Sequence, residues 1–389
     1  AAVSVAGASV AGVAYVFDLR RHPLYASVAD QAVSILRLMD PETAHGLAIR
    51  ACDLGLAPAL PRNHLLPPSL RSQVLGIDFI SPIGVAAGFD KQGQVLAPLL
   101  GMGFGFLEVG GVPPRPQPGN PTPRMFRLEE DGAIINRFGL NSDGAEVVAE
   151  RLKIQRGESP PHGPLPAGTA VGVNLAANTD SVDKTADFVA CVEIMGPHVD
   201  FLVLNISCPN VKWTSALSQD DTGMRGLILA VRGARDRLPQ RPPLLLKVGP
   251  DMSTDARRSM ADLALTCAVD GLVVANTTNS RPPTLLSAHA LEKGGLSGRP
   301  LAGAALETLQ DMFVLTQGKI PLIGVGGISS AADAYERIKA GASLVEVYTA
   351  LTYKGPGFVQ TLNRDLAALL EKDGFKTIAE AVGSDARKK

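Results

Sequence analysis

The sequence predicts an α/β protein: a (β/α)8 TIM barrel with a small N-terminal helical extension. Eight short apolar runs read as buried strands, each followed by a helical pattern. Their spacing of about 30–40 residues suits parallel strands joined by crossover helices. A doubly wound open sheet is the alternative. No GxGxxG follows the first run, which weakens it. At 389 residues the chain is long enough for one large barrel and an appendage.

Residues 1–17 carry no charge, and Asp18-Leu19-Arg20-Arg21-His22 follows at once. Such a stretch rises roughly 25 Å as a helix, the short end of what spans a bilayer. Three readings fit: the remnant of a membrane anchor, the apolar core of a targeting signal, or a soluble apolar tail. Residues 1–22 are assigned to the first, with the basic residues marking the side that stays out of the membrane. The chain begins on Ala1 rather than Met, so removal of a preceding segment is expected.

Residues 23–60 read as two short helices. Asp40-Pro41-Glu42 is a helix start: a capping Asp, Pro at the first helical position, an acid in the first turn. Pro61, Pro67 and Pro68 mark a linker over 61–72, and the barrel is assigned to 73–389. Its strands are predicted at Ile83–Ala87, Phe104–Val109, Ala170–Leu175, Phe201–Asn205, Leu244–Val248, Gly271–Ala275, Leu322–Val325 and Leu344–Tyr348. The Pro- and Gly-rich stretch 154–168 reads as a surface loop.

Net charge is −1 and the pI near 6.7, so there is no electrostatic case for a nucleic-acid partner. Cys52, Cys191, Cys208 and Cys267 are scattered with no CxxC spacing. That argues against a metal site or a disulfide framework and for a reducing compartment.

Polar chemistry gathers at the strand ends, where a parallel barrel keeps its active site. Phe201-Leu202-Val203-Leu204 runs straight into Asn205-Ile206-Ser207-Cys208-Pro209-Asn210. Cys208 is the candidate proton acceptor, unless it is a small buried hydrophobe. The first strand ends in Ala86-Ala87-Gly88-Phe89-Asp90-Lys91, small residues for a flat ligand and then a cation; a tight turn with a surface lysine is the plain alternative. Asn174 closes the third strand. Lys247 lies inside Leu244-Leu245-Leu246-Lys247-Val248 and either points inward or snorkels out.

Asn136 and Asn141 sit in an expected βα loop, as ligand contacts or turn formers. Asn136, Asn205, Asn210 and Asn276 make a set of amides suited to a planar imide or carboxylate. Gly326-Gly327 after the seventh strand and Tyr348-Thr349 after the eighth suggest a phosphate site, built from backbone N–H groups and a helix N-terminus. A phosphorylated cofactor follows, with FMN favoured.

These motifs together resemble the class 2 dihydroorotate dehydrogenases, the membrane-associated, quinone-reducing type. The likeness covers residues 23–385. It is carried by Asp40-Pro41-Glu42-Thr43-Ala44-His45, Val85 to Lys91, Gly119-Asn120-Pro121, Pro123-Arg124, Ile135-Asn136-Arg137, Gly172-Val173-Asn174, Asn276-Thr277-Thr278, Gly294 to Gly298 and Ile323 to Gly327. The resemblance implies FMN on Ala86, Ala87, Gly88, Gly110, Asn174, Asn205, Lys247, Ser297, Gly298, Gly326, Gly327, Tyr348 and Thr349. It implies dihydroorotate on Lys91, Asn136, Asn205, Asn210, Asn276 and Thr277, with Cys208 as base. It implies a ubiquinone entering between the two N-terminal helices, past His45 and Arg127. The C-terminal half looks more like the mitochondrial members than the bacterial ones, which implies the mitochondrial inner membrane, with a bacterial cytoplasmic membrane as alternative.

Three positions depart from the class 2 pattern. Cys208 stands where class 2 members usually carry serine and resembles the soluble class 1 enzymes. Gly110-Gly111-Val112-Pro113 lacks two hydroxyls that could contact flavin. Leu140 replaces a typical Phe beside the substrate. The stretch Val211 to Gly226, with the only tryptophan, Trp213, is expected to form a mobile lid. Three rivals stay open: a soluble-type enzyme using fumarate or NAD, which Cys208 favours; a related FMN barrel acting on another substrate, which the asparagine set opposes; and a flavin-binding barrel without turnover.

Overall fold

The computed structural model describes residues 19–61, 66–206 and 221–386. A short antiparallel hairpin comes first in the sheet order, β1 (Ser72–Val74) and β2 (Ile77–Phe79). Strands β3 (Ile83–Val85) and β4 (Phe106–Val112) open the barrel. A second hairpin follows, β5 (Met125–Leu128) and β6 (Ala133–Asn136). The barrel continues with β7 (Ala170–Leu175), β8 (Phe201–Asn205), β9 (Leu244–Val248) and β10 (Gly271–Val274). Strand β11 (Gly295–Gly298) returns to pair antiparallel with β6. Strands β12 (Leu322–Val325) and β13 (Ala342–Val347) close the barrel, with β13 beside β3.

The eight barrel strands are all parallel and run in sequence order around the closed sheet. Each corresponds to a run predicted from the sequence. The second is displaced: it begins at Phe106 rather than Phe104 and runs on to Val112. Two things differ from expectation. Asn136 closes a strand rather than lying in a loop, and Gly295–Gly298 is a strand of the same small sheet. That three-stranded sheet is an excursion from the barrel, built by two separate insertions, so no single stretch of sequence announces it.

Two N-terminal helices precede the sheet, α1 (Pro23–Leu36) and α2 (Pro41–Asp53). Asp40 caps α2 by accepting from Thr43 N at 2.9 Å. Around the barrel lie α3 (Leu96–Leu100), α4 (Ala145–Gln155), α5 (Lys184–Met195), α6 (Asp221–Asp236), α7 (Thr254–Thr266), α8 (Ala302–Leu315), α9 (Ala331–Ala340), α10 (Thr349–Lys354) and α11 (Phe358–Lys372). Their apolar faces and the outward residues of the strands form the larger core.

The inward residues form a second, smaller core at the N-terminal end of the barrel. Phe79 from the first hairpin packs edge-on against Phe106 at 5.7 Å, and Phe106 against Phe201 at 6.1 Å. Rings of this size leave no room beside them. A Cβ at Gly84 would lie 2.4 Å from the Phe106 ring, and one at Gly172 would lie 2.1 Å from Phe201. Glycine inside a strand is therefore the steric condition for an aromatic plug. Burying each such ring contributes about 1.5–3 kcal/mol, and the plug closes the barrel at the end opposite the polar strand termini.

The helix pair is tied onto the barrel by charge. Arg124 Nη2 lies 2.7 Å from Glu42 of α2. Arg127 Nη1 donates to Arg37 O at 2.6 Å. Gly357 N donates to Asp30 of α1 at 2.8 Å.

Candidate active site

Side chains alternate in direction along a strand, so residues two apart share the barrel interior. Phe106, Phe201, Leu245 and Leu344 belong to the apolar plug. Two residues further along β4 and β9 come Glu108 and Lys247, and two along β13 comes Glu346. The barrel therefore changes from apolar to polar within one layer. Lys247 is 4 % exposed and points inward; the snorkelling alternative does not hold.

Above this layer the strand ends enclose a cavity of about 440 Å³. Its lining includes all the residues assigned by resemblance to the cofactor: Ala86, Ala87, Gly88, Gly110, Asn174, Asn205, Lys247, Ser297, Gly298, Gly326, Gly327, Tyr348 and Thr349. It also includes Lys91, Asn136, Asn276 and Thr277 from the substrate set, with Gly111 and Leu140. Cys208 and Asn210 lie outside the described residues, as does Trp213. The expected lid is outside them as far as 220; from Asp221 the chain is helix α6.

A chain of polar groups crosses the cavity floor. Lys247 Nζ is 2.7 Å from Glu108 Oε2. Asn174 Nδ2 donates to Glu108 Oε1 at 2.5 Å, and Asn205 Nδ2 donates to Asn174 Oδ1 at 2.9 Å. Asn276 Nδ2 reaches Asn205 Oδ1 at 3.5 Å, the outer limit of such a bond. Burial pulls the Lys247 ammonium down, but the Glu108 carboxylate, hydrogen-bonded to it at 2.7 Å, opposes this, and its pKa stays above the ordinary value. Lys247 therefore stays charged at neutral pH.

Lys91 follows Asp90, whose buried carboxylate accepts from Gln94 N at 2.9 Å and Val95 N at 2.8 Å. This turn delivers Lys91 to the cavity. Its Nζ donates to Gly88 O at 2.7 Å and stands 4.0 Å above the Phe138 ring. Burial brings its pKa down to about 8; Arg124 pushes the same way, while Glu42 and Asp90 oppose it.

At the other side, Gly326 and Gly327 have φ of 111° and 73°. A Cβ on Gly327 would come 2.4 Å from Ala302 Cα, so the loop runs tight against its neighbour. Arg337, 2 % exposed, braces it by donating to Gly326 O at 3.0 Å and Ala302 O at 2.9 Å. Ser297 Oγ and Thr349 Oγ1 lie 2.9 Å apart across this corner.

His45 and Arg127 do not line the cavity. The His45 ring stacks 6.2 Å from Tyr348, which does. Its Nε2 donates to Phe89 O at 2.9 Å, so that nitrogen carries the proton. Burial, with Lys91 nearby, lowers its pKa to about 3. Arg127 lies 3.7 Å from Glu129, which lines the cavity and also pairs with Arg37.

Sequence reasoning missed Glu108, Glu346 and Arg337. For the two acids the signal was present: a charge inside an apolar strand run, the same mark that singled out Lys247.

The family model described as dihydroorotate dehydrogenase matches residues 69–370. The chain belongs to the dihydroorotate dehydrogenase family. It is 47 % identical to the mitochondrial dihydroorotate dehydrogenase (quinone) of Mus musculus, over 91 % of this chain and 89 % of that protein. It is 47 % identical to dihydroorotate dehydrogenase (quinone) of Azorhizobium caulinodans, over 90 % of this chain and 97 % of that one. The crystal structure of the Eimeria tenella dihydroorotate dehydrogenase in complex with ferulenol superposes with a TM-score of 0.85 at 38 % identity, covering 90 % of this chain and 96 % of that one. These relatives named for quinone are of the class 2 type that the sequence resembles.

Membership of the dihydroorotate dehydrogenase family implies a flavin. The residues fit one. A flat ring system that accepts and donates hydrogen bonds would meet amides from Asn174 and Asn205, the Lys247 ammonium, and strand ends kept small by Ala86, Ala87 and Gly88.

Proposed function

We propose that the chain oxidises dihydroorotate to orotate in pyrimidine (UMP) biosynthesis and passes the electrons through FMN to ubiquinone. The observation that carries this reading is the meeting of Lys91, Asn136, Asn205, Asn276 and Thr277 on one cavity above the Lys247–Glu108 pair. The quinone-linked relatives support it.

FMN is favoured over a dinucleotide because, among the described residues, Ser297, Gly298, Gly326, Gly327 and Thr349 would form a single phosphate cradle. When bound, the flavin supplies the acceptor for the substrate's hydride. The protein's own residues do the rest. Lys91 pairs with the substrate carboxylate. Asn136, Asn205, Asn210, Asn276 and Thr277 hold and orient the ring through its amide edges, which both donate and accept. Cys208 takes the proton from C5 as hydride leaves C6, so that the C5–C6 double bond forms. Its thiol has an unperturbed pKa of about 8.5, within reach of working pH.

The acceptor side is read from the helix pair. Helix α1 and the turn after it leave Leu24, Val28, Ile35 and Leu38 exposed, with Leu38 87 % open. A row of bare apolar side chains suits a membrane surface. Among the described residues no helix is long and apolar enough to cross a membrane. His45, stacked on Tyr348, and Arg127, bonded to the carbonyl of Arg37 just after α1, would flank a quinone route from this face. Mitochondrial and bacterial relatives are both named; we place the chain at the mitochondrial inner membrane.

The test is anaerobic. Dihydroorotate added to the flavin-loaded protein should bleach the visible flavin band, and a soluble quinone analogue should restore it. Bleaching without restoration by quinone, but with restoration by fumarate or NAD, would move the acceptor to the soluble type. No bleaching would overturn the substrate.

A further inference from the structure

The floor of the cavity holds two carboxylates, Glu108 and Glu346, and one ammonium, Lys247. All three side chains are at least nine-tenths buried: 0 % exposed for each acid and 5 % for the lysine. Lys247 Nζ is 2.7 Å from Glu108 but 3.8 Å from Glu346, too far for a hydrogen bond. Glu108 also accepts from Asn174. Among the described residues neither oxygen of Glu346 has a hydrogen-bond partner. The strands flanking β13 offer no other charge: β3 is Ile83-Gly84-Val85 and β12 is Leu322-Ile323-Gly324-Val325. Tyr348, two residues on, is buried and its phenol is pushed up, so it stays neutral. Two buried carboxylates thus share one ammonium, which is hydrogen-bonded to Glu108 and only 3.8 Å from Glu346; the acid left without a donor is the one driven to take up a proton.

We propose that Glu346 is a neutral carboxylic acid at working pH. It is a positioning residue that offers the flavin site an O–H donor and leaves the Glu108–Lys247 pair electrically balanced. The acid and the ion pair then present no net charge beneath a ring that has to accept electrons. Burial first, and then the Glu108 charge, raise the Glu346 pKa well above the carboxylate range, against the opposing pull of Lys247. The part of the proposal that concerns the flavin rests on the FMN reading; the protonation state does not.

The test is Glu346→Gln, which keeps shape and neutrality. A carboxyl whose folded pKa lies above its unfolded value of about 4.3 costs the fold nothing below that pH, and increasingly more as pH rises. Apoprotein of the variant should therefore melt with wild type at about pH 4 and above it at about pH 8. Equal or lower melting at the higher pH would overturn the proposal, because an ionised, paired Glu346 would lose its partner in the variant. If the variant does not fold, infrared spectroscopy of wild-type apoprotein with carboxyl-labelled glutamate decides. A protonated, isotope-shifted carboxyl band at neutral pH supports the proposal, and its absence sinks it. The label separates this acid from the buried Asp90.

The flavin half is read as FMN affinity of the apoprotein by fluorescence quenching. Neutral for neutral predicts a dissociation constant within about twofold of wild type. A tightening of roughly tenfold or more, the worth of one pKa unit, would mean that a negative charge had been removed. Wild-type apoprotein that fails to take up FMN would refute the cofactor reading and leave the melting comparison to judge the proton.

Discussion

Lys247 and Glu108 stand 139 residues apart in the chain and 2.7 Å apart in the fold, sealed from solvent at the centre of the barrel. Removing one partner strands the other. Lys247→Met should destabilise the protein by about 3–5 kcal/mol, the range for an uncompensated buried charge. Adding Glu108→Gln should recover much of that loss. Denaturant unfolding of the single and double variants measures both, and a single variant as stable as wild type would show that the pair is not what holds the charge in place.

Lys91 is lowered to about 8 chiefly by burial. Its charged form is the one that pairs with a carboxylate. As pH rises through 8 the free enzyme loses that cation, so kcat/KM for dihydroorotate should fall on the alkaline side, mainly through KM. Lys91→Arg stays charged and should move this limb to higher pH. An alkaline limb that ignores the substitution would assign it to another group.

His45 is lowered to about 3, from an ordinary value of 6.5. The unfolded chain takes up a proton first as pH falls, so this residue's share of stability is intact above 6.5 and is lost progressively down to 3. His45→Gln should flatten the fall in melting temperature across that window. The same neutral ring predicts no His45 titration in quinone reduction near pH 7. A slope unchanged by the substitution would mean that His45 is charged in the fold.

Cys208 falls outside the described residues, but its chemistry is testable. A thiol ionises far below a serine hydroxyl. The rate of flavin reduction by dihydroorotate should therefore rise with pH at lower values than in Cys208→Ser. Single-turnover reduction followed across pH compares them. Superimposable profiles would remove Cys208 from the role of base.

Much of this was legible from residue order. Eight apolar runs at regular spacing are enough to predict a closed parallel barrel, because the period of a strand and the length of a crossover helix are local properties. The polar residues after those runs marked the cavity wall: Lys91, Asn174, Asn205, Lys247, Gly326 and Thr349 all line it. The excursion sheet of β5, β6 and β11 was not legible as a whole, since β11 joins the local β5–β6 hairpin only across 160 or so intervening residues.

By itself, the sequence determined the order of the barrel strands and which polar side chains gather near their C-terminal ends. Only the tertiary structure decided what those side chains face. Glu108, Lys247 and Glu346 each look like a charge misplaced in an apolar strand, and local pattern cannot say whether such a charge snorkels out or turns in. Closing the barrel brings all three to one buried point, where low polarizability forbids an isolated charge. The hydrogen-bonded pairing of Lys247 with Glu108, and the longer 3.8 Å gap that leaves Glu346 without a donor, follow from distances that exist only after closure.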